Sequence, residues 1–258
     1  MTHEFDGKKY EKASIHQKEW GTRIIAELNL KGSERVLDLG CGDGSITAQI
    51  AALLPEGEVL GIDASAGMID AALPKKRHNL KFRRLDINDL DFDEQFDVVF
   101  SNATLHWVKD HIRLLRNVNR SLFPGGLVRF NFAGEGNCSN FFSVIQEAMT
   151  RHEFQSFFAG FEWPWYMPPV NEYQALAENS GLQNVQVWGE NADRHFPDEE
   201  AMIRWIDQPS LVPFLAYVGE QKKDAFREFV VHRMIEETKQ EDGRCFETFR
   251  RINVSAAK

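Results

Sequence analysis

Cysteine is scarce: only Cys41, Cys138 and Cys245 occur in 258 residues. Three thiols so widely spaced make neither a disulfide framework nor a CxxC metal pair, and they fit a reducing compartment. The eight histidines show no HExxH or similarly tight ligand spacing, so no metal is expected. No apolar run approaches the roughly 18 residues a membrane helix needs. The opening Met1-Thr2-His3-Glu4-Phe5-Asp6 mixes charges with no apolar stretch behind it. A soluble, cytoplasmic protein with no membrane partner is expected. A dense Lys/Arg stripe is missing too, and a formal net charge of -9 repels phosphates. Nucleic acid is therefore set aside as a partner, and a small molecule is expected instead.

What is present is a globular composition, 43% hydrophobic and 27% charged, enough to bury a full core. Repeats and low-complexity tracts are absent. Short apolar runs alternate with amphipathic stretches: a helix over 15–28, a strand over 35–39, a helix over 45–54, a strand over 58–63, a helix over 66–73, and strands over 80–85 and 96–101. The alternation predicts an α/β fold with a parallel sheet. Each strand runs into a polar residue, so Asp38, Asp63, Asp86 and Ser101-Asn102 would line the carboxyl edge, where open sheets take ligands. A helix over 110–122 stops at Phe123-Pro124-Gly125-Gly126 and turns into a strand over 127–132.

Beyond that strand the rhythm changes. Residues 138–170 crowd together Phe141, Phe142, Phe154, Phe157, Phe158, Phe161, Trp163, Trp165 and Tyr166 without a βα unit. They read as an aromatic substrate cap, with help from 195–240, inserted into a domain made of 1–137 and 171–258. A helix over 172–180, a strand over 185–188, helices over 198–207 and 220–239, and one closing antiparallel strand over 244–256 complete the expectation.

The run Val36-Leu37-Asp38-Leu39-Gly40-Cys41-Gly42-Asp43-Gly44 fails the dinucleotide fingerprint GxGxxG. Its third glycine comes one residue early, and Asp38 and Asp43 stand where a pyrophosphate would need to sit, which Coulomb repulsion disfavours. A cofactor carrying an ammonium group and no phosphate, as S-adenosylmethionine does, suits the same residues. Asp38 attracts the amino acid end, and Gly40 and Gly42 admit close backbone approach. Asp63, followed by Ala64, accepts from ribose hydroxyls. Met68 and Ile87 offer apolar surface to the adenine, Asp86 accepts its exocyclic amine, and Asn102 closes the edge. A nicotinamide reductase of similar topology is the minor alternative.

With Asp38 to Gly44 in place, the chain resembles the class I methyltransferases, whose first motif is acid-x-Gly-x-Gly-x-Gly. The run from Phe96 through Leu105-His106-Trp107-Val108, with Phe123-Pro124-Gly125-Gly126 after it, is similar to the trans-aconitate methyltransferase group, whose members methylate a carboxylate oxygen. The resemblance implies a Rossmann-like, doubly wound seven-stranded sheet, mostly parallel with an antiparallel last strand, and a helical cap. It also implies that Tyr10, Gln17 and Trp20 close over the methionine end of the cofactor.

A carboxylate acceptor is ionised at neutral pH, so orientation and desolvation suffice for transfer. An amine, phenol or carbon acid would need a base, for which His106 is the candidate; otherwise His106 packs or hydrogen-bonds the loop. Trp20, Trp107, Trp163, Trp165 and Tyr166 are the candidate substrate aromatics. Arg151, with Arg194, Arg244 and Arg250, offers cations to an acid. A protein that binds the cofactor without transferring methyl is the competing class.

Overall fold

The computed structural model describes residues 15–258, with side chains from Glu19 onward except that of Pro209. Tyr10 lies outside the described residues, and Gln17 falls in the first described helix with its side chain outside them. The chain divides into two compact units, one of 1–135, 165–190 and 251–258, the other of 136–164 and 191–250. The second unit thus takes in the whole stretch from 191 to 250, where the sequence suggested only help from 195–240, and Trp165 and Tyr166 fall in the first.

The first unit alternates as its sequence predicts: α1 (Ile15–Glu27), β1 (Arg35–Leu39), α2 (Ser45–Ala52), β2 (Glu58–Asp63), α3 (Ala66–Ala72), β3 (Leu80–Arg84), β4 (Phe96–Asn102), α4 (His111–Ser121) and β5 (Leu122–Ala133). It resumes with α6 (Val170–Glu178), after a helix α5 (Ser139–Thr150) of the second unit, then β6 (Gln183–Asn191) and, at the end of the chain, β9 (Arg250–Ala257). The sheet order is β3-β2-β1-β4-β5-β9-β6. Strands β3, β2, β1, β4 and β5 pair in parallel, and β9 runs antiparallel to β5 with Ala133 opposite Arg251.

Period-two alternation sends neighbouring side chains to opposite faces. Val36, Val98 and Phe100 pack with Ile24, Ile25 and Ile50 on one face. Leu37, Leu39 and Val99 pack with Leu114, Leu115, Val118 and Tyr173 on the other. Helices on both faces make the sheet doubly wound. Polar caps start the helices: Ser65 Oγ accepts from Met68 N and Asp110 Oδ1 from Arg113 N. Among the described residues no helix is long and apolar enough to cross a membrane.

The second unit holds α5, β7 (Arg194–Phe196), α7 (Glu199–Trp205), α8 (Val212–Leu215), α9 (Lys223–Thr238) and β8 (Cys245–Glu247). Its core is aromatic: Phe141 meets Trp205 and Phe214 edge-on, and Phe161 stacks on Phe214 at 5.2 Å. The single closing strand expected over 244–256 is two strands. β8 pairs with β7 in a separate two-stranded sheet. The break has a physical cause at Glu247, which is buried and turns inward to accept the backbone N–H groups of Asn140 and Phe141 at the start of α5.

Candidate functional site

β1 lies between β2 and β4, so the chain leaves the sheet in opposite directions at its carboxyl end and opens a crevice there. Three glycines shape the turn, all left-handed: Gly40 at φ 72, Gly42 at φ 54 and Gly44 at φ 74. A Cβ on Gly40 would run into the Thr104 side chain, and one on Gly44 would lie 2.6 Å from Phe82 Cζ. A Cβ on Gly42 would meet nothing within 4 Å. The outer glycines are demanded by packing, while the middle one faces open space.

Asp63, at the end of β2, ties this turn to the next one. Its Oδ2 accepts from Gly42 N at 3.0 Å and its Oδ1 from Ser65 N at 2.9 Å. Each oxygen keeps lone-pair capacity for a further donor. Asp43 is buried, and its carboxylate accepts from Ser45 N and Oγ. Asp38 stands behind the turn rather than in the crevice. It is 2% exposed, and Thr47 Oγ1 donates to it at 2.7 Å. Burial pushes its carboxyl up to about 7, with Asp63 adding to the rise and the Thr47 hydrogen bond opposing it.

Ala64 accepts from Arg84 Nε at 3.1 Å. Met68 and Ile87 are buried, and Asp86 accepts from Asn88 N and Nδ2 in a capping turn. β4 ends at Asn102, and Ala103 after it takes φ 58, a left-handed conformation unusual for alanine, with its N–H donating to Asn131 O at 2.7 Å.

The turn Leu105–Trp107 follows at once, clamped from two sides. Tyr166 N donates to His106 O at 2.8 Å, and His111 Nε2 lies 3.0 Å from Leu105 O. His111 Nδ1 is 2.9 Å from Tyr173 Oη. A neutral imidazole satisfies both contacts by donating from Nε2 and accepting at Nδ1. That neutral form fits His111, which burial holds down to about 4. Trp107 packs edge-on against Trp165 at 5.4 Å, and Lys109 Nζ donates to Trp165 O. His106, Trp107, Trp165 and Tyr166, chosen from the sequence separately, are therefore neighbours in the first unit.

His106 Nδ1 is buried and has no hydrogen-bond partner among the described residues. Burial foremost, then Arg251 and His111, hold the imidazole well below its ordinary range. Trp20 is 4% exposed and carries the Arg251 guanidinium 4.5 Å above its ring. Trp163 lies in the second unit, stacked on Phe142 at 5.3 Å. Arg151 sits at the end of α5, paired with Glu153 and stacked on Phe229. Arg244 pairs with Asp242 and Arg250 with Asp193.

Arg251 itself, with Asn131 and Thr104, was not singled out from the sequence. Nothing in the sequence marks it apart from Arg250; the register of β9 places it opposite the last residue of β5. Among the described residues no cluster of His, Cys, Asp and Glu could hold a metal ion.

The residues fit the cofactor expected of them. Open space over Gly42 admits a ligand against the turn, and Asp63 presents oxygens beside it. The family model of a methyltransferase domain matches residues 37–130. The trans-aconitate 2-methyltransferase of Deinococcus radiodurans is 32% identical over 190 residues, covering 70% of this chain and 71% of that one. That of Rhizobium etli is 28% identical over 240 residues, covering 91% of each.

Among solved structures, the YcgJ protein of Bacillus subtilis superposes with a TM-score of 0.63 at 16% identity, covering 93% of this chain and 98% of that one. Phosphoethanolamine N-methyltransferase 2 of Haemonchus contortus, solved with S-adenosyl-L-methionine, gives 0.62 at 21% identity and covers 98% of this chain and 56% of that one. The chain belongs to the class I S-adenosylmethionine-dependent methyltransferases, in the group of the trans-aconitate methyltransferases.

Proposed function

We propose that this methyltransferase esterifies a carboxylate oxygen of a small acid. The observation that carries the reading is the environment of His106. Its imidazole is held well below its ordinary range by burial and by Arg251, so it is a weak base, poorly matched to removing a proton from an ammonium or a phenol. A carboxylate has already lost its proton. The relatives named for trans-aconitate, a polycarboxylate, support the same class of acceptor.

When bound, S-adenosylmethionine supplies an electrophilic methyl group on a sulfonium. A carboxylate would accept that methyl with S-adenosylhomocysteine as the leaving group, and no residue would need to remove a proton. What is left to the protein is orientation and exclusion of water.

In this reading Gly40 and Gly42 let the backbone approach the cofactor, and Asp63 accepts its ribose hydroxyls, with Ala64 beside it. Met68 and Ile87 support the adenine, Asp86 accepts its amine, and Asn102 lines the edge; Tyr10 and Gln17 close over its methionine end. Buried Asp38 acts on the ammonium through its field. Trp107, Trp165 and Tyr166 wall the acceptor side. The aromatic second unit, including Trp163, serves as the cap. The three free thiols suit a cytoplasmic setting, with neither nucleic acid nor membrane as partner.

Incubating the protein with methyl-labelled cofactor and a panel of mono-, di- and tricarboxylic acids, trans-aconitate included, tests the proposal. Label that is released as methanol by mild alkali marks an ester. Alkali-stable label on amines or phenols would overturn the carboxylate reading and leave the methyltransferase assignment standing.

A further inference from the structure

We propose that His106 binds the methyl acceptor as a hydrogen-bond donor, its Nε2–H donating to one oxygen of the acid's carboxylate; the proposal rests on the carboxylate reading above. The residue stands in the turn that follows β4 at the carboxyl edge of the sheet, where an open sheet of this kind takes its ligands. Two residues before it, Thr104 Oγ1 donates to Gly40 O at 3.0 Å, which ties this segment to the glycine turn at the end of β1.

The two ring nitrogens have different surroundings. Nδ1 is buried with no hydrogen-bond partner among the described residues, although the residue as a whole is only half-buried. Nε2, across the ring, also has no protein partner among the described residues but is not sealed off as Nδ1 is. A neutral imidazole carries one proton, and burial foremost keeps this imidazole neutral. Folded chains leave a buried lone pair unmatched more readily than a buried N–H, so the proton belongs on Nε2. The ring's one donor is then on its open side and meets no acceptor on the protein.

The backbone beneath the ring is fixed by Tyr166 N, which donates to His106 O at 2.8 Å. The indole of Trp107 lies 5.6 Å from the imidazole, and Trp165 packs on that indole at 5.4 Å. Aromatic walls lower the local dielectric, so a hydrogen bond from N–H to a carboxylate counts for more there than in water. A donor without charge orients the acid and leaves it ionised: one oxygen is held and the other is left for the methyl group. An ammonium group has no lone pair to offer this N–H, which favours acids over amines at the same place.

Glutamine and asparagine separate the two nitrogens, because the amide nitrogen of Gln reaches the place of Nε2 and that of Asn the place of Nδ1. The test compares wild type, H106Q, H106N and H106L in label transfer to the same acid panel, with calorimetry of S-adenosylhomocysteine as the measure of an intact cofactor site. The expected result is a KM for acids raised roughly 10- to 100-fold in H106L and H106N, the loss of one charge-assisted contact. In H106Q the KM stays within about threefold of wild type, and S-adenosylhomocysteine binds all three variants within about twofold of wild type. Nitrogen NMR of the wild-type complex with S-adenosylhomocysteine finds the His106 proton on Nε2, and adding trans-aconitate shifts that signal.

An unchanged KM in H106L overturns the proposal, as does a proton found on Nδ1. Equal losses in H106Q and H106L also overturn it, because the ring would then matter for its shape alone. Loss of S-adenosylhomocysteine binding in all three variants does the same, since the histidine would then serve the fold. A wild type that methylates no acid overturns the carboxylate reading itself and takes this proposal with it.

Discussion

Thr104 stands against Gly40 so closely that any side chain at 40 would collide with its methyl and hydroxyl. The hydroxyl also donates back to Gly40 O at 3.0 Å. The first glycine of the turn is thus locked by the segment that leads to His106.

Gly40→Ala is therefore expected to lose stability beyond the roughly 1–2 kcal/mol that a left-handed φ costs a Cβ-bearing residue, because Thr104 has to move as well. Gly42→Ala meets no neighbour and is expected to lose only about that strain, while cofactor affinity falls at least tenfold as the new methyl fills the open space. Urea melts and calorimetry of the two variants separate the cases. Equal stabilities would show that Thr104 yields without cost.

A second expectation concerns the clamp on the Leu105–Trp107 turn. Tyr173 is fully buried, and its hydroxyl is the partner of His111 Nδ1. Tyr173→Phe leaves that nitrogen without a donor and is expected to cost about 1–3 kcal/mol. kcat with a carboxylate acceptor should fall more than cofactor affinity, since the loosened turn carries His106 and Trp107. A melt indistinguishable from wild type would count against the assigned tautomer.

Much of this was legible in the sequence. The short β-rich runs Val36-Leu37-Asp38-Leu39 and Val98-Val99-Phe100 predicted strands, whose two faces enter the two cores, and the glycines at 40, 42 and 44 marked the turn that follows. Asp38 was legible as an acid but not as a buried one. Its partner Thr47 is nine residues away on α2, and only the packed helix brings the two together.

Arg250 and Arg251 are indistinguishable in a linear reading. The first pairs with Asp193 and the second is buried at the sheet edge, because adjacent positions of a strand face opposite ways. Glu247 interrupted the predicted last strand for a similar reason: its demand for backbone donors comes from a helix more than a hundred residues earlier.

That carboxylate makes a third test. Glu247 accepts from Asn140 N at 3.2 Å and Phe141 N at 2.9 Å, replacing the local side-chain cap that α5 lacks. Glu247→Ala is expected to cost about 2 kcal/mol and to speed amide exchange in the first turn of α5. Glu247→Gln, which keeps one acceptor, should lose less. Unchanged protection at Phe141 would remove Glu247 from the capping role.

Asp38 gives a pH dependence of definite sign. Its carboxyl ionises at about 7 in the folded chain against an ordinary 3.8, so between those values the folded state holds a proton that the unfolded state has released. Stability from this group is whole below the lower value and declines by at most about 1.4 kcal/mol per pH unit up to the higher one. Asp38→Asn removes the decline: urea midpoints of variant and wild type should approach one another in acid and separate in favour of the variant near neutrality. A cofactor bearing an ammonium and a sulfonium favours the ionised carboxylate, so binding below about 7 should expel a proton, and wild-type affinity should rise with pH and then level off. In Asp38→Asn the affinity should be weaker and flatter with pH. Calorimetry in buffers of different ionisation enthalpy counts that proton directly; finding none released would show that Asp38 keeps one ionisation state throughout and would remove the link between its titration and cofactor binding.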